Sequence, residues 1–234
     1  MHVPDGFLDA PASVAAGAMA VAGLALCLRR ARGELDERAA PLAGLVAAFV
    51  FAAQMLNFPV AAGTSGHLLG GALAAILVGP WTGAVCVAVV LLLQSLLFAD
   101  GGLTALGTNV TLLGVVAVGV GYGVFRLLLA LLPRTRGGLL AAAGAGAFVS
   151  VPVAALAFVG LFAVGGVADV PLGAVAAAMG GIHVLIGIGE AVITVAVLAA
   201  VVSVRPDLVH GAAHLRRPSD LATRRGLRAE GALR

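Results

Sequence analysis

Seven long apolar stretches, joined by short polar connections, leave this 234-residue chain few ways to fold. They lie at residues 13–28, 42–58, 68–78, 81–98, 103–132, 139–164 and 172–204. A helix crossing a ~30 Å hydrocarbon core needs about 20 apolar residues, and six of the stretches approach or exceed that length. Backbone inside lipid must satisfy its own hydrogen bonds, so such stretches become helices of a bundle. A soluble reading fails because 61% of residues are hydrophobic and only 11% charged, too few polar groups to cover so much apolar surface. The expected fold is an all-α polytopic membrane protein of about seven transmembrane helices, one of them short. Cys27 and Cys86 both fall inside apolar runs, without metal-ligand spacing, and read as small packing residues.

Arginine placement orients the bundle. The chain has no lysine, and its 14 basic residues are all arginines. With the N-terminus outside and the seven stretches alternating, Arg29 to Arg38, Arg126 to Arg136 and everything from Arg205 onward fall on the cytoplasmic side. The outer segments carry only Asp5, Asp9, Asp100 and Asp169. This is the positive-inside pattern. It places the net charge of +3 in cytoplasmic loops and gives no reason to expect a nucleic-acid partner. It divides the chain into a membrane domain, 1–204, and a basic cytoplasmic tail, 205–234, in which His210 and His214 lie one helical turn apart. The third stretch counts as a crossing only if 68–78 is accepted, yet as a helix it reaches about 17 Å. His67, at its outer end, is therefore expected in a recess below the membrane surface. The loop 59–66 before it should dip as well, which membranes tolerate only where backbone lines a cavity.

The chemistry sits at the first residues. The segment Met1-His-Val-Pro-Asp-Gly-Phe-Leu8 has no basic region and carries Pro4 and Asp5 before the first apolar run, so it does not read as a signal peptide. A free terminal amine, the residue-2 backbone nitrogen and the His2 imidazole can close two fused chelate rings on one metal ion. Such a nitrogen set suits Ni(II) or Cu(II), which accept planar geometry. His67 is the best candidate for a fourth nitrogen.

Further polar residues lie in or at the ends of the apolar runs: Gln54, Asn57, Gln94, Asn109, His183 and Glu190. Each is costly in lipid and should face the bundle interior. Gln54 and Asn57, one turn apart, are placed to orient His67. Gln94 and Asn109 serve either as interhelical hydrogen-bonding groups or as supports of the site. His183 and Glu190, seven apart on one helix face, suggest a structural or gating pair; Glu190 could instead hydrogen-bond loop backbone or be protonated, and His183 could ligate the metal directly. Small residues Gly44, Ala48 and Ala52 form a row on the second span, and Ala12, Ala16 and Ala20 form another on the first. One of these rows is expected to meet a partner helix.

Seven motifs resemble one family. They are Met1-His-Val-Pro-Asp-Gly-Phe-Leu8, Gln54-Met-Leu-Asn-Phe-Pro-Val60, Gly63-Thr-Ser-Gly-His-Leu-Leu-Gly-Gly71, Leu77-Val-Gly-Pro-Trp81, Gln94-Ser-Leu-Leu-Phe-Ala-Asp-Gly-Gly-Leu103, Ala105-Leu-Gly-Thr-Asn109 and His183-Val-Leu-Ile-Gly-Ile-Gly-Glu-Ala-Val-Ile-Thr194. In this order they resemble the CbiM/NikM family, the substrate-binding components of energy-coupling factor transporters for cobalt and nickel. The resemblance covers residues 1 to about 204. It implies a multi-pass protein of the bacterial or archaeal cell membrane, with the metal held by Met1, His2 and His67. Ni2+ or Co2+ is then transported substrate, and no catalytic cofactor is implied. The implied partners are a transmembrane coupling protein, cytoplasmic ABC ATPases and a small accessory membrane protein. No Walker A motif is present, so ATP is hydrolysed elsewhere.

Two rival functions arise from the same residues. Gly63-Thr-Ser-Gly66 is also similar to the Gly-x-Ser-Gly of rhomboid intramembrane proteases, with Ser65 as nucleophile and His183 as base. That reading leaves Met1, His2 and His67 idle. A passive metal channel is the other alternative.

Overall fold

A computed structural model describes residues 2–35, 39–56, 58–61 and 64–215. Seven helices run through them: α1 Ala10–Ala31, α2 Ala39–Gln54, α3 Gly71–Val78, α4 Pro80–Leu97, α5 Leu106–Leu131, α6 Arg136–Gly165 and α7 Leu172–Val204. Five of them, α1 and α4 to α7, are long and apolar enough to cross a membrane; α2, at 16 residues, is shorter. Large side chains such as Val14, Leu45, Leu97, Leu131 and Leu185 remain exposed on the bundle exterior, as expected where the solvent is lipid.

The third helix is shorter than the sequence suggests, eight residues in place of eleven. At 1.5 Å per residue it is about 12 Å long. All eight residues are buried, because α3 is ringed by α2, α4, α5, α6 and α7. Glycine makes this possible: a Cβ on Gly83 of α4 would stand 2.7 Å from the Ala75 nitrogen of α3. Gly121 of α5 meets the Ala72 methyl in the same way. Removing the side chain at each contact lets backbones approach, the usual route to tight helix packing in lipid.

The second span also ends early, at Gln54 rather than 58. Pro59 cannot sit inside a helix and pushes the residue before it toward extended backbone. Residues Phe58–Ala61 and Thr64–Gly66 pair as an antiparallel hairpin, β1 and β2, with Phe58 opposite Gly66 and Pro59 opposite Ser65. So the all-helical expectation gains one small two-stranded sheet, lying against α7 above the start of α3.

At the other end, α3 and α4 are joined by Gly79 alone. Its φ of +99° belongs to glycine, and Pro80 starts α4 at a position where a missing N–H costs nothing. The Glu34 carboxylate accepts from the Thr82 N–H at 2.7 Å and the Trp81 N–H at 3.4 Å. It thereby caps the positive end of α4. The Arg30 guanidinium lies 5.6 Å from the Trp81 ring centre. Beyond α7 the chain turns back through Pro206–Leu208 and His210–Leu215, and Val209 and Ala212 are fully buried. His210 is exposed, 6.3 Å from the Tyr122 ring; the side chain of His214 lies outside the described residues.

Gly79 generates a test. A side chain there would adopt an unfavourable φ and collide with the Glu34 carboxylate. Gly79→Ala should cost about 1–2 kcal/mol from the backbone alone. Thermal unfolding in detergent should fall by several degrees, and an unchanged midpoint would refute the cap as described.

Candidate metal centre

The N-terminal segment does not lie on the surface; it is threaded into the mouth of the bundle. Val3, Phe7 and Leu8 are buried. Asn109, on α5, treats Val3 as a strand neighbour would. Its Oδ1 accepts from the Val3 N–H at 2.8 Å, and its Nδ2 donates to the Val3 carbonyl at 3.1 Å. The Gly102 N–H donates to the same carbonyl. One turn on, the Asp5 carboxylate accepts from the N–H groups of Leu103, Thr104 and Ala105 and from the Thr104 hydroxyl. The Thr104 hydroxyl first, and the three backbone groups with it, hold the Asp5 carboxyl below its ordinary range. Gly102 has to be glycine, because a Cβ there would overlap Asp5. Phe7 packs 6.1 Å from Phe158 and 5.9 Å from Phe162, while Leu8 bridges Gly166. Asp9 then caps α1 by accepting from the Ala12 N–H at 2.8 Å.

Immediately after Asn109 the helix widens into a π-helical segment, Val110–Ala117. Such segments often mark functional positions. Here it lies where α5 must hold both Val3 and, through the Thr111 hydroxyl, the Ala16 carbonyl of α1 at 2.8 Å.

This threading delivers His2 to His67. The two rings have centroids 4.2 Å apart, tilted by 32°, and both residues are buried. His2 Nδ1 is 2.9 Å from Asp100 Oδ1, and a carboxylate accepts, so Nδ1 carries the proton. Burial pulls the His2 imidazole below its usual value, with the Asp100 hydrogen bond opposing. His67 Nδ1 donates to the Leu68 carbonyl at 2.7 Å. In both rings the lone pair is left on Nε2, and both Nε2 atoms are buried without a hydrogen bond. His183, on α7, shows the same state: Nδ1 donates to the Met179 carbonyl at 2.8 Å and Nε2 is bare.

The remaining intramembrane groups divide. Glu190 does not bond to His183; its two oxygens accept from the Leu69 N–H at 2.8 Å and the Gly70 N–H at 2.6 Å. Gln54 donates to the Leu69 carbonyl at 2.7 Å, so it holds the His67 loop backbone and not the ring. Gln94 faces His2, with neither amide atom hydrogen-bonded. Met1 and Asn57 lie outside the described residues, as does the side chain of Ser65. Among the described residues, no three His, Cys, Asp or Glu side chains are gathered to hold a metal. Asp100 and Glu34 carry contacts that patterning did not single out; the only signals were an acid before Gly101-Gly102 and an acid in an arginine-rich loop.

The matching family model is described as the cobalt uptake substrate-specific transmembrane region, CbiM, and it covers residues 2–208. This chain belongs to the CbiM family. It is 37% identical over 218 residues to the cobalt transport protein CbiM of Sorangium cellulosum, spanning 89% of this chain and 94% of that one. It is 40% identical over 216 residues to the fused NikMN chain of Archaeoglobus fulgidus, spanning 89% of this chain and 68% of that one. A crystal structure of a transition metal transporter superposes with a TM-score of 0.79 at 32% identity, covering 87% of this chain and 93% of the other. As a CbiM chain, the protein is the substrate-specific transmembrane component of a cobalt/nickel uptake transporter, a multi-pass membrane protein of the bacterial and archaeal kind. The intramembrane protease reading built on Ser65 and His183 falls with this membership, because the family transports and does not hydrolyse.

Asn109 supplies the next test. Asn109→Ala leaves the buried Val3 N–H without an acceptor, at about 1–3 kcal/mol, and leaves the Val3 carbonyl with the Gly102 N–H alone. The N-terminal segment should then become open to aminopeptidase, with metal retention falling at least tenfold (about 1.4 kcal/mol). A protected segment with wild-type retention would remove Asn109 from its assigned role.

Proposed function

We propose that this CbiM component holds one Ni2+ or Co2+ ion between its N-terminus and His67 and presents it for ATP-driven uptake. The donors are the Met1 amine, the His2 backbone nitrogen, the His2 imidazole and His67 Nε2. The observation that carries this reading is the buried pair of imidazoles, in ring contact and each with a bare Nε2, at the end of a segment threaded in from residue 2. Four nitrogens in a plane suit Ni(II) above Co(II). Gln94, Asn109, His183 and Glu190 surround the ion without ligating it.

One detail bears on the donor atoms. Fused rings through the amine and the residue-2 nitrogen use His2 Nδ1, which here bonds Asp100. Closing the chelate requires that nitrogen to leave Asp100, by a turn about the Cβ–Cγ bond. The hydrogen bond itself favours a second arrangement, in which His2 Nε2 and His67 Nε2 bind while Asp100 holds the far side of His2. A carboxylate behind a ligating imidazole is a common support.

The two arrangements part on one experiment. An extra Ala before Met1 moves the amine out of register, so under the chelate it eliminates tight nickel binding, as does His2→Ala. His67→Ala should abolish uptake and leave weak binding through the three N-terminal nitrogens. An extended protein that still binds nickel tightly would overturn the chelate and leave the two Nε2 atoms as donors. Since the amine and the amide must each lose a proton, apparent affinity for the chelate should rise with pH through the range around 8.

The wider assembly follows the family: a transmembrane coupling protein, cytoplasmic ABC ATPases and a small accessory membrane protein. The N-terminus faces outward and the arginine-rich ends face the cytoplasm, with 1–204 as the membrane domain and 205–234 as its cytoplasmic extension. Gly44, Ala48 and Ala52 are all exposed along α2 and form the docking row for the coupling protein. The corresponding row on α1 is turned inward: Ala16 and Ala20 are buried, and Ala12 packs beside Gly165. Ala48→Leu should prevent co-purification with the coupling protein while nickel binding stays at wild-type strength. Loss of both together would show the row packs within this chain.

A further inference from the structure

The backbone from His67 to Gly70 is irregular and buried, so each of its polar groups needs a partner from elsewhere. Three residues supply such partners. Glu190 takes the Leu69 and Gly70 N–H groups, Gln54 gives a hydrogen bond to the Leu69 carbonyl, and the Ala74 N–H donates to the Gly70 carbonyl. Gly70 sits at φ +72°, against Val50 of α2. The segment is therefore clamped from α7 and α2 on opposite sides.

One of these bonds reaches further than the loop. The Leu69 N–H that Glu190 accepts belongs to the same peptide unit as the Leu68 carbonyl, and that carbonyl accepts from His67 Nδ1. A peptide is planar and stiff about its C–N bond, so fixing the N–H fixes the direction of the carbonyl. The order is Glu190 Oε2, Leu69 N–H, Leu68 carbonyl, His67 Nδ1–H, His67 ring. Hydrogen bonds in series polarise one another, which makes the carbonyl a better acceptor and Nε2 a better donor to a metal. A ligating imidazole commonly gives its second N–H to a carboxylate; here one peptide group is inserted between the two.

We propose that Glu190 is a positioning residue for the metal, acting on His67 through the Leu68–Leu69 peptide, with Gln54 holding the same segment from α2. The proposal rests on the reading of His67 as a ligand. Glu190→Gln removes the charge and leaves one acceptor oxygen for two N–H groups, so it weakens the series without changing volume. Glu190→Asp keeps the carboxylate but shortens its reach.

The test is a double-mutant cycle on nickel affinity, measured by calorimetry on the purified full chain, with the folded state checked by thermal unfolding. Glu190→Gln should weaken binding 10- to 100-fold, the range typical of groups behind a ligating imidazole. Glu190→Asp should recover part of the loss. In a His67→Ala background, where nickel is held by the N-terminal nitrogens alone, Glu190→Gln should change affinity by less than about twofold (~0.4 kcal/mol). If Glu190→Gln does not fold, Gln54→Met is put through the same cycle and should show the same dependence on His67. Equal losses in both backgrounds would overturn the proposal, since a general structural role does not need His67. So would wild-type affinity in Glu190→Gln with His67→Ala still weakened, which leaves the metal assignment standing. If His67→Ala itself leaves affinity unchanged, the ligand assignment and this proposal fall together.

Discussion

The arrangement depends on Asn109 binding a peptide group of the N-terminal segment. A chain terminus in a membrane protein has every reason to stay in water, where its charge and its open backbone groups are solvated. Here the Asn109 carboxamide satisfies both polar groups of Val3, and Asp5 gathers the N–H groups of the turn that leads into α5. Those bonds offset the cost of taking the segment out of water, and the burial of Phe7 between Phe158 and Phe162 adds apolar surface. With Val3 held there, His2 lies in ring contact with His67.

The second requirement is a short central helix. An eight-residue α3, about 12 Å long against a ~30 Å hydrocarbon core, leaves room beyond its N-terminal end for the hairpin, the His67 loop and the inserted N-terminal segment. A full-length third helix would fill the same volume with apolar side chains. Because α3 touches protein on all sides, the irregular backbone above it has neighbours able to complete its hydrogen bonds: Gln54 from α2 and Glu190 from α7. Costly polar residues in the spans are thus spent on loop backbone.

Glycine and the acids at the helix ends work in pairs. Gly102 makes room for Asp5, and Gly79 for Glu34. In each case a carboxylate accepts from backbone N–H groups, those of the first turn of α4 or of the turn leading into α5, and a side chain at the glycine would occupy the carboxylate's place. The bundle is closed at both of its ends by the same device, built from residues far apart in the chain.

Helix number and approximate position, the short third helix, the membrane setting and the family were all legible in the sequence, because lipid demands long apolar runs and the motifs stand in order. The fold boundaries that shifted did so where proline acts: α2 stops at Gln54 because Phe58-Pro59 prefers extended backbone. His2 and His67 were legible as metal candidates from their chemistry, yet their meeting depends on Asn109, more than a hundred residues along the chain from Val3. Spacing on one helix left Glu190 open between pairing with His183 and bonding loop backbone; tertiary structure gave Glu190 to the loop, where it accepts from two buried N–H groups. Sequence alone determined which residues must avoid lipid. Only the packed bundle decided which buried groups each would satisfy, since hydrogen-bond partners in a membrane are set by which helices lie side by side and not by their order.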